Sequence, residues 1–240
     1  YAEYCGDTLA MQRVRSFYDN GLWSLRDEIG WSIEGLRPEG QGCPEMGEAN
    51  NTGDIMEAAL VLGRAGDALA FADVETILRG HLLPSQLRDT SFIQESPNPN
   101  NEDALRDYAD RNLGAFGFPA PYGHRPIGLK SLLFHLDIVG GAVSSLCKAY
   151  QNIVRRPGAV RRVELLFDHE AEGLRVESPY PDGILRLAAT EPGDVLVRIP
   201  PWAPRGGIRV NGEHRAPQRD HLWISLRPDS PTAEVTIPLV

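Results

Sequence analysis

Cysteine is scarce in this chain. Its 240 residues contain three cysteines, Cys5, Cys43 and Cys147. An odd, sparse set excludes a disulfide framework and fits a reducing compartment, so a cytoplasmic location is favoured. Positive charge is also in short supply: 24 Lys and Arg stand against 33 Asp and Glu, giving a net charge of −9 and a pI of about 5.2. Phosphate-rich partners need a basic surface, so neither nucleic acid nor an anionic membrane is an expected partner. No run of about 18 apolar residues exists, so no membrane span is expected. No signal peptide is visible. The chain opens mid-pattern at Tyr1-Ala-Glu-Tyr-Cys-Gly-Asp7 and not at a Met, which reads as the C-terminal part of a longer protein. Several chemical motifs are missing too. There is no Gly-rich phosphate loop after a strand, no Gly-x-Ser-x-Gly elbow, no Cys-x-x-Cys pair and no His-Glu-x-x-His helix. A nucleotide site and a stand-alone metal motif are thereby excluded, and neither cofactor nor metal is expected.

What remains is an ordinary globular composition, 42% hydrophobic and 24% charged, with a change of period along it. Residues 1–156 read as helices. Thr8–Leu25 repeats apolar residues near the helical spacing, and Ile55, Ala58, Ala59 and Leu62 share one helical face. Phe71–Leu82 is a third helix, Glu102–Asn112 a short one, and Lys130–Val154 a long one with a candidate break at Gly140-Gly141. Residues 30–47, 91–101 and 114–128 are rich in Gly, Pro and polar residues and read as loops. From about Val160 the period becomes two. Arg162–Phe167, Gly173–Glu177, Ile184–Ala188, Asp194–Ile199, Gly207–Asn211, His221–Leu226 and Ala233–Leu239 are strand-like. Asn211-Gly212 is a strong two-residue hairpin signal. Helices followed by strands, without alternation, argue against a βαβ fold. They predict a helical domain at 1–156 and an antiparallel β-sandwich at 157–240.

One loop concentrates carboxylates and amides ahead of a helix: Glu45-Met-Gly-Glu48-Ala-Asn50-Asn51-Thr52-Gly-Asp54. A plain reading is a helix start, with Asn51 or Thr52 as the cap and Asp54 in the first turn. A functional reading is a loop that presents carboxylates to a sugar. Cleavage of a glycosidic bond needs one carboxyl to protonate the leaving oxygen and a second to attack or to activate water.

Two stretches carry a resemblance. Glu48-Ala-Asn50-Asn-Thr-Gly-Asp-Ile-Met56 continues through Ala59-Leu-Val-Leu-Gly-Arg-Ala-Gly66 to Ala72-Asp-Val-Glu-Thr-Ile-Leu-Arg-Gly-His-Leu-Leu-Pro-Ser-Gln-Leu87. Near the C-terminus stand Leu196-Val-Arg-Ile-Pro-Pro-Trp-Ala203 and Val210-Asn-Gly-Glu213. Together they resemble the β-L-arabinofuranosidase family of glycoside hydrolases. The resemblance implies the C-terminal part of an (α/α)6 helical barrel followed by an antiparallel β-sandwich, and a carbohydrate substrate. It implies a missing N-terminal part of the same barrel and leaves a homodimer open. In that family zinc is held by the Glu and Cys of a Glu-x-Cys motif and by a Cys-Cys pair, one member of which is the nucleophile. Here Glu48 matches the glutamate, but Asn50 stands in place of the first cysteine, and Leu136-Asp-Ile-Val-Gly-Gly141, where the pair belongs, has none. Cys43 lies too far upstream to substitute unless its loop folds back. Zinc–cysteine chemistry is therefore not expected.

The expected enzyme is a carboxylate-based glycoside hydrolase or a fragment of one. Glu48 and Asp137 are its candidate catalytic pair. Glu28, with Asp27 and Glu34, lies roughly where the family's acid/base glutamate falls. His124 and Tyr122 in an aromatic loop, with Asn50 and His135, are candidate sugar-binding residues. Two alternatives stay open: a catalytically silent glycan-binding or structural relative, and a polysaccharide lyase on the same helical architecture with His124, His135 or Tyr122 as base.

Overall fold

The computed structural model describes residues 1–32, 47–95, 97–103, 106–118, 133–134 and 136–239. It divides into two compact units. One consists of Tyr1–Ala58 with Thr76–Cys147, the other of Ala59–Glu75 with Lys148–Val240.

The described α-helices lie between Ala2 and Tyr150: α1 (Ala2–Cys5), α2 (Thr8–Ser16), α3 (Ala49–Arg64), α4 (Ala68–Ile77), α5 (Tyr108–Arg111) and α6 (Leu136–Tyr150). Asp7 caps α2 by accepting the Ala10 N–H at 2.9 Å. Neither α1 nor α2 contains a buried residue. Wider π-turns extend two of the helices: Phe17–Gly21 follows α2, and Leu78–Leu82 follows α4. The expected Glu102–Asn112 helix shrinks to the single turn α5, whose Tyr108 and Ala109 N–H groups are held by the Glu95 carboxylate. No described helix is long and apolar enough to cross a membrane. In the first unit, Trp31, Met56, Ile77, Leu82, Leu87, Phe116 and Ile138 are buried.

Gly140-Gly141 does not break α6, which runs through both glycines. The reason is packing. A Cβ built on Gly141 would lie 2.8 Å from the Cβ of Asn50, so glycine at this position lets α3 and α6 approach closely. Gly53 acts likewise one turn along α3, because its Cβ would meet Ser145 Oγ at 2.5 Å.

Most of the strands expected from the period of two form, but Gly117–Phe118 falls in an expected loop, and Leu133–Phe134 and Val154 fall in the expected Lys130–Val154 helix, which runs only from Leu136 to Tyr150. A short pair, β1 (Gly117–Phe118) and β2 (Leu133–Phe134), belongs to the first unit. The second unit holds two sheets. Its strands are β3 (Val154–Arg155), β4 (Arg161–Val163), β5 (His169–Ala171), β6 (Leu174–Glu177), β7 (Ile184–Ala189), β8 (Gly193–Arg198), β9 (Arg209–Val210), β10 (Glu213–His214), β11 (His221–Leu226) and β12 (Thr232–Thr236). The larger sheet has the order β10-β9-β12-β7-β6-β5 and the smaller β11-β8-β4-β3. Burial alternates along β11, with Leu222, Ile224 and Leu226 inside. The hairpin signal at Asn211-Gly212 is realised: β9 pairs with β10, and both turn residues have positive φ, 50° and 84°.

One pairing departs from the all-antiparallel expectation: β4 and β8 run parallel. Residues 164–192 supply β5, β6 and β7 to the larger sheet before the chain returns beside β4. A long crossover of this kind is what a parallel pair requires.

A buried polar core ties this unit together. Arg198 is fully buried, and its Nη2 lies 2.6 Å from Glu75 Oε2 without the alignment of a straight hydrogen bond. The Arg198 Nε–H donates to the Glu164 carbonyl at 2.5 Å. Glu75 also accepts from the Leu166 N–H and, at 3.4 Å, from the Tyr180 hydroxyl.

Candidate active site

The carboxylate-rich loop leads into α3, and the helix begins earlier than the capping residues predicted. Asn50, Asn51 and Thr52 lie inside α3, and the Thr52 N–H donates to the Glu48 carbonyl at 3.4 Å. Glu48 therefore occupies the cap position, half-buried at the positive end of the helix. Thr52 is not the cap because its hydroxyl is engaged in the core. It is fully buried, with Oγ1 3.1 Å from Nδ1 of His81.

His81 is the member of this cluster that the sequence did not single out. The π-turn Leu78–Leu82 carries it, and it is fully buried. Its ring meets the Trp31 indole edge-on, with centroids 5.1 Å apart at 81°. Trp31 in turn closes over the entry to α3, where a Cβ on Gly47 would collide with the indole and the Ser32 carbonyl oxygen. The turn before Trp31 is fixed by Asp27, whose Oδ1 accepts from the N–H groups of Ile29 (3.1 Å) and Trp31 (2.8 Å). Beside it the Arg26 guanidinium lies 4.3 Å above Trp23 and 5.0 Å above Tyr18. Trp31 and His81 thus pack against the start of α3.

On the other side of α3 stands α6. Ser145 Oγ donates to Glu57 Oε1 at 2.8 Å and lies 3.0 Å from the Gly141 carbonyl. Two of the positions that the family resemblance assigns to the cysteine centre, Asn50 and the Leu136–Gly141 segment, meet at the contact between Asn50 and Gly141. They meet without a thiolate. Zinc sites of this type are built on cysteine sulfur, and an amide beside a glycine does not supply it. Among the described residues, none at this contact fits the family's zinc.

The other candidates fall as follows. Glu28 is exposed in the turn between Asp27 and Gly30. The backbone of Asp137 is the second position of α6, and its side chain lies outside the described residues. Glu34, Tyr122, His124, His135 and Cys43 also lie outside the described residues. Cys5 and Cys147 are exposed free thiols. Trp202, at the Pro-Pro-Trp corner, is partly exposed, with its ring 6.0 Å from that of Tyr180. No group of three His, Cys, Asp or Glu side chains able to hold a metal ion occurs among the described residues.

The fold resembles part of two solved glycoside-hydrolase structures. The GH127 β-L-arabinofuranosidase of Geobacillus stearothermophilus T6 superposes with a TM-score of 0.65 at 14% identity, covering 100% of this chain and 40% of that one. A second glycoside hydrolase superposes with a TM-score of 0.61 at 14% identity, covering 98% of this chain and 44% of that one. This chain thus spans less than half the length of either. No protein-family model matches the sequence, and no curated protein matches it.

Proposed function

We propose that this chain belongs to a carbohydrate-active protein of glycoside-hydrolase type that works through carboxylates and not through zinc and cysteine. Residues 1–156 then form part of an (α/α)6 barrel and residues 157–240 a β-sandwich. The observation that carries the reading is the start of α3: it keeps Glu48 at a helix N-terminus while Asn50, packed on Gly141, stands where the family has cysteine. Glu48 and Asp137 are the proposed pair. Both sit at helix N-termini, whose positive ends offset part of the repulsion between two carboxylates. Sharing a cleft, the two would hold a proton on one member, which protonates the leaving oxygen while the other attacks or activates water. Tyr122, His124, His135 and Asn50 are the proposed sugar contacts, and Glu28 is the reserve acid.

The test is turnover of a panel of aryl glycosides by the protein that carries this chain. Glu48→Gln keeps the shape but cannot exchange a proton, and it is expected to lower turnover by about 10²–10⁴-fold with the fold intact. Near-normal turnover in that variant would refute the assignment.

The tight contact of α3 on α6 supports a second reading, a silent glycan-binding relative. With no space for a side chain at position 141 and Ser145 Oγ directly over Gly53, this face of α3 is packed and not open. Glycan binding by the protein with no turnover of any aryl glycoside would favour it.

A further inference from the structure

We propose that the second unit carries a separate site for one neutral sugar ring of an oligosaccharide, built on Trp223. The site is a cavity of about 300 Å³, at the small end of ligand pockets. Its walls come from both sheets: Trp223 and Ser225 on β11, Thr232 on β12, and Asn211, Arg215 and Ser230 on the adjoining turns. β11 is the edge strand of the smaller sheet, and β12 pairs with β9 only through Val235 and Thr236. At Glu234 the pairing gives way to Asn211, whose N–H donates to the Glu234 carbonyl at 2.8 Å.

The chemistry of these walls selects the ligand. Trp223 is 50% exposed, an apolar platform of the kind that the C–H face of a sugar covers. Around it the lining mixes hydroxyls and an amide (Ser225, Ser230, Thr232, Asn211) with the aliphatic residues Val210, Ile224, Leu226 and Ala233. Asn211 Oδ1 accepts the Glu234 N–H at 2.8 Å, which fixes the amide and leaves its NH₂ as a donor in the lining. The rim's arginine already has a carboxylate beside it, and its aspartate a hydroxyl. Ser225 Oγ donates to Asp194 at 2.6 Å, and Arg215 lies 3.5 Å from Glu213. An anionic ligand would have to displace Glu213 from Arg215, whereas a neutral polyol needs only donors and acceptors.

The choice of sugar as ligand rests on the carbohydrate reading above; the site itself rests on the cavity. The test is calorimetric titration of the purified protein with arabinotriose, xylotriose and cellotriose, with trigalacturonate as the charged comparison. At least one neutral trisaccharide is expected to bind. Trp223→Ala should weaken it about tenfold or more, the loss of one stacking contact, and Trp223→Phe by less. Thr232→Arg, which fills the cavity from its exposed rim, should abolish it without touching the platform. Absence of binding by all three at millimolar concentration overturns the proposal. So does unchanged binding in Trp223→Ala and Thr232→Arg, or tighter binding of trigalacturonate. Trp223-dependent binding without any hydrolysis would refute the enzymatic reading and leave this site standing; hydrolysis with Trp223-independent binding would do the reverse.

Discussion

Replacing Glu75 by Leu should be among the most damaging single changes in the second unit. The carboxylate is 4% exposed and faces the fully buried Arg198 at 2.6 Å. At an effective dielectric of 20, two unit charges at that distance attract by about 6 kcal/mol. Desolvation of the two ions costs several kcal/mol each, so the pair as a whole contributes little net stability. Breaking it is another matter. Glu75→Leu leaves the Arg198 charge buried without compensation, at a cost of about 3–5 kcal/mol. It also leaves the Leu166 N–H without its acceptor, which adds to that cost. Arg198→Met removes the other charge and leaves the Glu164 carbonyl short of a donor. The double variant removes both charges and loses only the neutral partners, so it should lie within about 1–3 kcal/mol of the parent. The assay is urea unfolding of the four proteins followed by far-ultraviolet circular dichroism. A strongly non-additive cycle is expected, with the double variant more stable than Glu75→Leu alone. Additive losses, or a Glu75→Leu protein less than about 1 kcal/mol below the parent, would refute a desolvated, mutually dependent pair.

Two further changes test other parts of the structure. Gly53→Ala would gain about 1 kcal/mol of helix propensity on an open helix, but here the new methyl meets Ser145 Oγ at 2.5 Å and Cβ at 2.9 Å. Crowding should win, lowering stability by about 1–3 kcal/mol with partial relief from Ser145→Gly, and a raised melting temperature for Gly53→Ala would contradict the packing. Glu164 bears on pH. Burial pushes its carboxyl up, but the His221 hydrogen bond, with the Arg162 charge and its 2.7 Å bond, outweighs burial and holds it below its ordinary value of 4.5. A depressed carboxyl contributes stability that is present above the unfolded value and lost as the pH falls through the folded one. Acid unfolding should therefore steepen below about 4.5, and Glu164→Gln should flatten it; an unchanged acid limb in that variant would remove Glu164 from the account.

Much of the second unit was legible because its strands carry a local signal. His221-Leu-Trp-Ile-Ser-Leu226 alternates cleanly and forms a strand over those same six residues. Asn211-Gly212 dictates its own turn. The strand β5 escaped notice because its turn, Glu172-Gly173, uses positive φ of 53° and 65° without the Asn-Gly pattern. Around the candidate site the decisive contacts are long-range. Thr52 looks like a cap until His81, supplied by a distant π-turn, takes up its hydroxyl. Gly140-Gly141 looks like a break until Asn50 is seen to occupy the space that glycine leaves. Local pattern reports backbone preference, while these residues are chosen for what packs against them. The exchange of cysteine for Asn50 was visible at once, since a missing ligand is a property of composition. Its contact with α6 was not.

The central claim, hydrolysis by carboxylates without zinc or thiolate, meets its most direct test in one measurement. The protein is stripped with a strong chelator, its thiols are alkylated (Cys5 and Cys147 are exposed to reagent), and turnover of its best aryl glycoside is compared before and after. Unchanged turnover is expected in the treated parent, with loss in Glu48→Gln. Turnover abolished by chelation or alkylation, or equal in parent and Glu48→Gln, would contradict it.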